Sequence, residues 1–125
     1  MSGVSVNTEK APAAIGPYVQ AMKTDSLVFV SGQLGIDMAT GEMPESVEDQ
    51  ARASLSNLAA VLEAAGSSKQ NVLKTIVFLT DINDFAMVNA VYADFFEGAN
   101  PARSAVAVAA LPKGAKVEVE CIATC

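Results

Sequence analysis

Few side chains in this 125-residue chain could do chemistry, and the first of them is Arg103. It stands in Asn100-Pro101-Ala102-Arg103-Ser104, just ahead of an apolar run that begins at Ala105. A guanidinium is a rigid fork of donors that matches a carboxylate bidentately. Where a loop enters a strand, a scaffold commonly presents such a group. The competing account is a surface charge in a solvated pair. Glu118 and Glu120 alternate out on one side of a final strand, roughly 7 Å apart. If water is excluded there, like charges disfavour joint ionisation, and one carboxylate becomes a candidate base or water-positioning group. A solvated strand face is the plain alternative. Gly32, in Ser31-Gly32-Gln33, follows an apolar strand where backbone can approach a ligand and offer its N–H. Gly16-Pro17-Tyr18 is a stiff turn that aims a ring and a hydroxyl. Asn89 lies along an apolar helix face, as a satisfied core amide or as a pocket-lining donor. Together these groups suggest a small pocket for a carboxylate-bearing ligand, in which Arg103 binds the anion, Ser31 and Asn89 add hydrogen bonds, and a glutamate handles a water.

Composition narrows the classes. Histidine is absent, which removes Ser-His-Asp catalysis and the commonest general base. Two cysteines, Cys121 and Cys125, without histidine make no zinc site, so no metal is expected. Cys121 reads as a small core hydrophobe and Cys125 as exposed. A formal charge of −6 with only 8 basic residues lacks the electrostatic footprint for a phosphate backbone, so no nucleic-acid partner is expected. Apolar stretches stay far below the roughly 18 residues of a membrane span. Residues 1–10 show neither a signal core nor transit character, which makes a cytoplasmic protein the expectation. At 51% hydrophobic residues the chain is no disordered tail, and one domain spanning 1–125 is expected. So much Val, Ala and Leu suggests surface buried beyond a monomer core, hence an oligomer.

The elements that must position these groups follow from periodicity. Residues 5–8 suggest a short first strand, 18–22 an extended segment, and 27–31 a compact strand ending at Gly32. Ser46 is a candidate N-cap for a helix whose apolar stripe is Val47, Ala51, Leu55, Leu58 and Leu62, with Gly66 as its stop. Residues 72–79 read as a strand. Asp81 or Asn83 then caps a second helix over about 84–96, striped by Phe85, Val88, Tyr92 and Phe96. The last strands are read at 104–111 and 116–124, joined at Pro112-Lys113-Gly114 as a hairpin. In the final strand Val117, Val119, Cys121 and Ala123 share one face, while Lys116, Glu118, Glu120, Ile122 and Thr124 share the other. The result is an α/β (α+β) mixed sheet with two helices packed on one face. Its other face needs cover, which a second subunit would supply.

The ordered set Ala11-Pro-Ala-Ala-Ile-Gly-Pro-Tyr-Val-Gln20, Val30-Ser-Gly-Gln33, Thr40-Gly-Glu42, Asn83-Asp-Phe85, Val88-Asn-Ala-Val-Tyr92, Pro101-Ala-Arg-Ser104, Leu111-Pro-Lys113 and Val117-Glu-Val-Glu120 resembles the RidA (YjgF) family over nearly the whole chain. The resemblance implies a chorismate-mutase-like fold, trimeric with a central β-barrel, and pockets between subunits. It implies hydrolytic deamination of 2-iminobutanoate and 2-iminopropanoate to 2-oxo acids and ammonia. These imines arise from pyridoxal-phosphate-dependent threonine/serine dehydratases, and the cofactor belongs to those enzymes, so none is expected here. The family's carboxylate-gripping arginine falls on Arg103 and its water-orienting glutamate on Glu118. The substrate-binding set falls on Tyr18, Ser31, Gly32, Asn89, Arg103, Ser104 and Ala105. Ala105 stands where some bacterial members carry a cysteine, so thiol chemistry at that position is absent. Two rival readings accompany this one: a non-catalytic 2-oxo acid binding module, and a translation inhibitor or endoribonuclease. The acidic charge argues against the last.

Overall fold

A computed structural model describes residues 3–125; Met1 and Ser2 of the amino-terminal segment lie outside the described residues. The chain runs β1 (Val4–Val6), β2 (Ala21–Lys23), β3 (Leu27–Leu34), α1 (Val47–Ala64), β4 (Val72–Leu79), α2 (Phe85–Phe96), β5 (Ala102–Ala107) and β6 (Val117–Thr124). The six strands form one sheet in the order β1-β2-β3-β6-β4-β5. Both helices cover the same face. The expected mixed sheet with a two-helix layer is therefore what the chain forms.

Local signals set the helices. The Ser46 side chain accepts the backbone N–H of Asp49 at 3.1 Å, and Glu48 and Asp49 occupy the favourable first turn of α1. Gly66 takes φ 81° just past the Ala65 C-cap, a left-handed stop that costs glycine little. The carbonyl of Ala65 is met by Lys23 Nζ at 3.0 Å, a cation at the negative end of α1. Asp81 accepts the Asn83 N–H and so caps the short 3₁₀ turn Ile82–Asp84 that leads into α2.

The hairpin between the last two strands is not formed. β5 pairs parallel with β4, and β6 pairs antiparallel with β3 and β4. After β5 the chain crosses the end of β4, where Val108 N donates to Leu79 O at 2.7 Å, turns at Pro112–Gly114, and returns on β4's other edge. Burial explains the preference. Val117, Val119, Cys121 and Ala123 alternate strictly and are all buried in the central position, whereas β5 is exposed at every second residue and suits an edge. Strand limits shift as well. Arg103 lies inside β5 rather than in the loop before it, and β3 runs on through Gly32 to Leu34. A register shift between Val30 and Gln33 puts Ser31 and Gly32 in an irregular stretch, a common place for a sheet to re-aim side chains.

Candidate functional site

Two groups of predicted residues come together, in two different places. Tyr18, Gly32 and Glu118 line one cleft of about 580 Å³, along with Pro12, Ile15 and Lys113. Glu118 projects from the β6 face turned away from the helices. Gly32 adjoins it so closely that a Cβ there would sit 2.6 Å from Glu118 Oε1. Burial raises the Glu118 carboxyl above its ordinary 4.5, and the charge of Glu120 adds to the rise. The cleft's wall depends on Gln20, a buried amide: its oxygen accepts Thr8 N–H at 2.6 Å, and its nitrogen donates to Thr8 O and Pro12 O at 3.0 and 2.8 Å. Those bonds hold the 8–17 segment against the sheet. Pro17 then sits in a tight turn closed by Tyr18 N–H to Gly16 O at 2.9 Å, which presents the half-exposed Tyr18 ring.

The floor of the same cleft is braced from α1. Ser54 Oγ donates to Gln33 O at 2.7 Å, and Asn57 Nδ2 donates to Leu34 O and Ile36 O at 3.1 and 2.9 Å. Gln50 donates to Pro44 O and accepts Lys116 N–H, both at 2.8 Å. Sequence reasoning passed over these three buried polar residues. Their signal was present: positions 50, 54 and 57 recur at helical spacing beside the apolar stripe.

Arg103 belongs to the second cluster. It lies opposite Thr75 on the helix-covered face. Its Nη1 donates to Asn89 Oδ1 at 2.6 Å. Its guanidinium carbon stands 4.9 Å from the Tyr92 ring centre and 5.3 Å from that of Phe85. Among the described residues no carboxylate pairs with it. The two clusters do not meet within the chain. Arg103 is in register with Thr75 and Glu118 with Phe78, so their Cα atoms are roughly 14 Å apart by strand geometry and their side chains leave opposite faces.

The remaining predicted residues sit apart. Ser31 Oγ donates to Val19 O at 2.6 Å, tying the strand after Tyr18 to β3. Ser104 is exposed, and Ala105 packs against the core. A wider cleft of about 750 Å³ between α1 and residues 36–44 holds none of these groups, and its Arg52 is engaged with Glu48 at 2.8 Å.

An edge-strand arginine with no carboxylate partner among the described residues thus stands on one face of the sheet, and a half-buried glutamate stands in a cleft on the other. The sequence profile of the family described as Endoribonuclease L-PSP matches residues 8–125. The chain is 50% identical over 119 residues to the 2-iminobutanoate/2-iminopropanoate deaminase of Mus musculus, covering 94% of this chain and 88% of that one. The crystal structure of Escherichia coli TdcF with bound serine superposes with a TM-score of 0.94 at 49% identity, covering 98% of each chain. RidA from an Antarctic Psychrobacter superposes with a TM-score of 0.94 at 47% identity, covering 98% of this chain and 99% of that one. The chain belongs to this family, that of the RidA-type reactive intermediate deaminases. No helix among the described residues is long and apolar enough to cross a membrane.

Proposed function

We propose that the chain is a deaminase that hydrolyses 2-iminobutanoate and 2-iminopropanoate to the 2-oxo acids and ammonia, working in the cytoplasm beside the dehydratases that release these imines. The observation that supports the reading is Arg103: a guanidinium held by neutral groups and, among the described residues, paired with no carboxylate. Such a fork of donors matches a carboxylate bidentately. Binding of the imine through its carboxylate leaves the electrophilic C=N carbon to be met by water. Glu118, whose raised proton affinity suits a base, takes a proton as the water oxygen adds to that carbon. That proton passes to the imine nitrogen to give a carbinolamine; the carbinolamine's hydroxyl proton is then transferred to the nitrogen as the C–N bond breaks, so ammonia departs and the carbonyl of the 2-oxo acid remains. Tyr18 and the Gly32 N–H would hold the water or the developing oxygen. An imine needs neither covalent attack nor metal; orientation supplies the acceleration.

Because Arg103 and Glu118 diverge within one chain, the complete site needs more than one copy. In our reading the chains form a trimer whose sheets meet around a central barrel. The β5 edge of one subunit then brings its arginine to the cleft of the next. The apolar side chains of the uncovered sheet face support this: Phe29 and Met22 pair across β2 and β3, and Phe29 pairs with Ile122 across β3 and β6. Ser104, on the same strand edge, belongs to that junction.

The test couples a pyridoxal-phosphate-dependent threonine dehydratase to this protein. Addition of wild type accelerates release of 2-oxobutanoate, and Arg103→Ala removes the gain. No acceleration by wild type, together with tight 2-oxo acid binding, would select the non-catalytic carrier reading instead. RNA cleavage that survives both Arg103→Ala and Glu118→Gln would select a nuclease.

A further inference from the structure

Arg103 is not left to find its own conformation. Phe85, Asn89 and Tyr92 recur along one face of α2 at helical spacing, and the guanidinium lies against all three. We propose that Phe85, Tyr92 and Asn89 are positioning residues that hold Arg103 as a preformed receptor for a planar anion, with Thr75 locking Tyr92 behind it. The inference rests on the reading of Arg103 as carboxylate anchor and deepens it.

The geometry assigns each part a task. Rings at 4.9 and 5.3 Å attract the cation without neutralising it. Asn89 Oδ1 takes one Nη1 proton, so among the described residues Nε and Nη2 keep their donors free for a bidentate partner. An aspartate at 89 would make the same contact but fill the fork with its own charge. With Oδ1 committed to Arg103, the Asn89 Nδ2 is oriented too and offers further donors beside the anion. Tyr92 is buried, and its hydroxyl shares a 2.7 Å bond with Thr75 Oγ1 in the core, which fixes the ring plane. Burial raises the Tyr92 hydroxyl above its ordinary 10.0, so the ring stays neutral against the guanidinium. A flexible arginine would lose rotamer freedom at each binding event; here that freedom is lost on folding, which favours binding.

The chain has only two arginines, and Arg52 is an exposed partner of Glu48, so an Nε–H resonance can be assigned to Arg103 by its loss in Arg103→Lys. Without any ligand, that resonance is expected to be sharp and slow to exchange in wild type, and broadened in Phe85→Leu and Asn89→Ala. With 2-oxobutanoate as probe, calorimetry should show a Kd raised roughly ten-fold in Phe85→Leu. Asn89→Asp, nearly isosteric, should bind more weakly than Asn89→Ala. KM should rise more than kcat falls, and Phe85→Tyr should restore wild-type values. A resonance unchanged in Phe85→Leu, or 2-oxobutanoate binding unchanged in Asn89→Asp, overturns the clamp. If Arg103→Ala itself binds 2-oxobutanoate like wild type, the anchor reading fails instead, while the resonance still reports whether the clamp exists.

Discussion

Gly32 has no side chain where Glu118 needs room. A methyl group there would fall 2.6 Å from Oε1 and 2.7 Å from Cδ of the glutamate, the movable end of a flexible side chain. Gly32→Ala is therefore expected to push the carboxylate aside while leaving the fold intact. The activity should drop by about 10²-fold, as for loss of a positioned base, with the melting temperature nearly unchanged. A full-activity Gly32→Ala enzyme would show that Glu118 does not act from this position. Burial first, and Glu120 second, raise the Glu118 carboxyl. The base must be ionised to work, so kcat/KM falls as pH drops through this raised value. Glu120→Gln removes one cause, and the acidic limb of the profile should move to lower pH. The same shift bears on stability with a definite sign. Between the ordinary and the raised value the folded state holds more protons than the unfolded state, so stability is lost as pH rises through that window. Above it, Glu118→Gln should melt at a higher temperature than wild type and be inactive, and a lower melting temperature would contradict the assigned direction. Arg103 was legible as a candidate because arginine is rare in this chain, Tyr18 and Gly32 because they sit at a marked turn and a strand end, and Glu118 and Asn89 because periodicity places them on a strand face and an apolar helix face. The bracing amides Gln20, Gln50 and Asn57 were passed over, although 50 and 57 share helical spacing, because an amide looks like surface until the carbonyls it must satisfy are known.

At the scale of elements, the junction between β3 and α1 sets the cleft. Gly35 lies against the α1 backbone so closely that a Cβ would stand 2.6 Å from Gln50 Cα. Backbone cannot swing away as a side-chain tip does. Gly35→Ala should thus cost on the order of 1–3 kcal/mol, readable as a lower denaturant midpoint. A neutral result would mean that α1 shifts freely over the sheet. The helices and β4 were legible from periodicity, since their apolar stripes are local. The β5–β6 hairpin was misread for a related reason. Pro112-Lys113-Gly114 carries genuine turn chemistry, and Lys113 adopts φ 58°. Yet turn chemistry states only that the chain bends, not which edge it bends onto. Burial of Val117, Val119, Cys121 and Ala123 between the sheet and α1 outweighs a local pairing with β5.

For the whole molecule the decisive feature is the division of the candidate site. If neighbouring subunits complete it, then Arg103→Ala and Glu118→Gln, each inactive alone, should recover activity when unfolded together and reassembled. Random mixing would restore roughly a quarter of the sites in a closed ring. No recovery from a properly assembled mixture would place the whole reaction within one chain. A charge on the uncovered sheet face, as in Phe29→Glu, should convert the assembly to monomers by light scattering and abolish turnover with it; an unaltered particle mass would show that this face is not the interface. Read alone, the chain's sequence determined most of its secondary elements, its alternating β6 faces, its acidic character and which polar groups are candidates to hold an anion, because each depends on neighbours a few positions away. Tertiary structure alone decided that β6 lies between β3 and β4, that Arg103 is clamped by α2, and that Arg103 and Glu118 leave opposite faces. Those outcomes turn on which distant strands pair and in what register, and that choice is made by total burial across the sheet rather than by any local pattern.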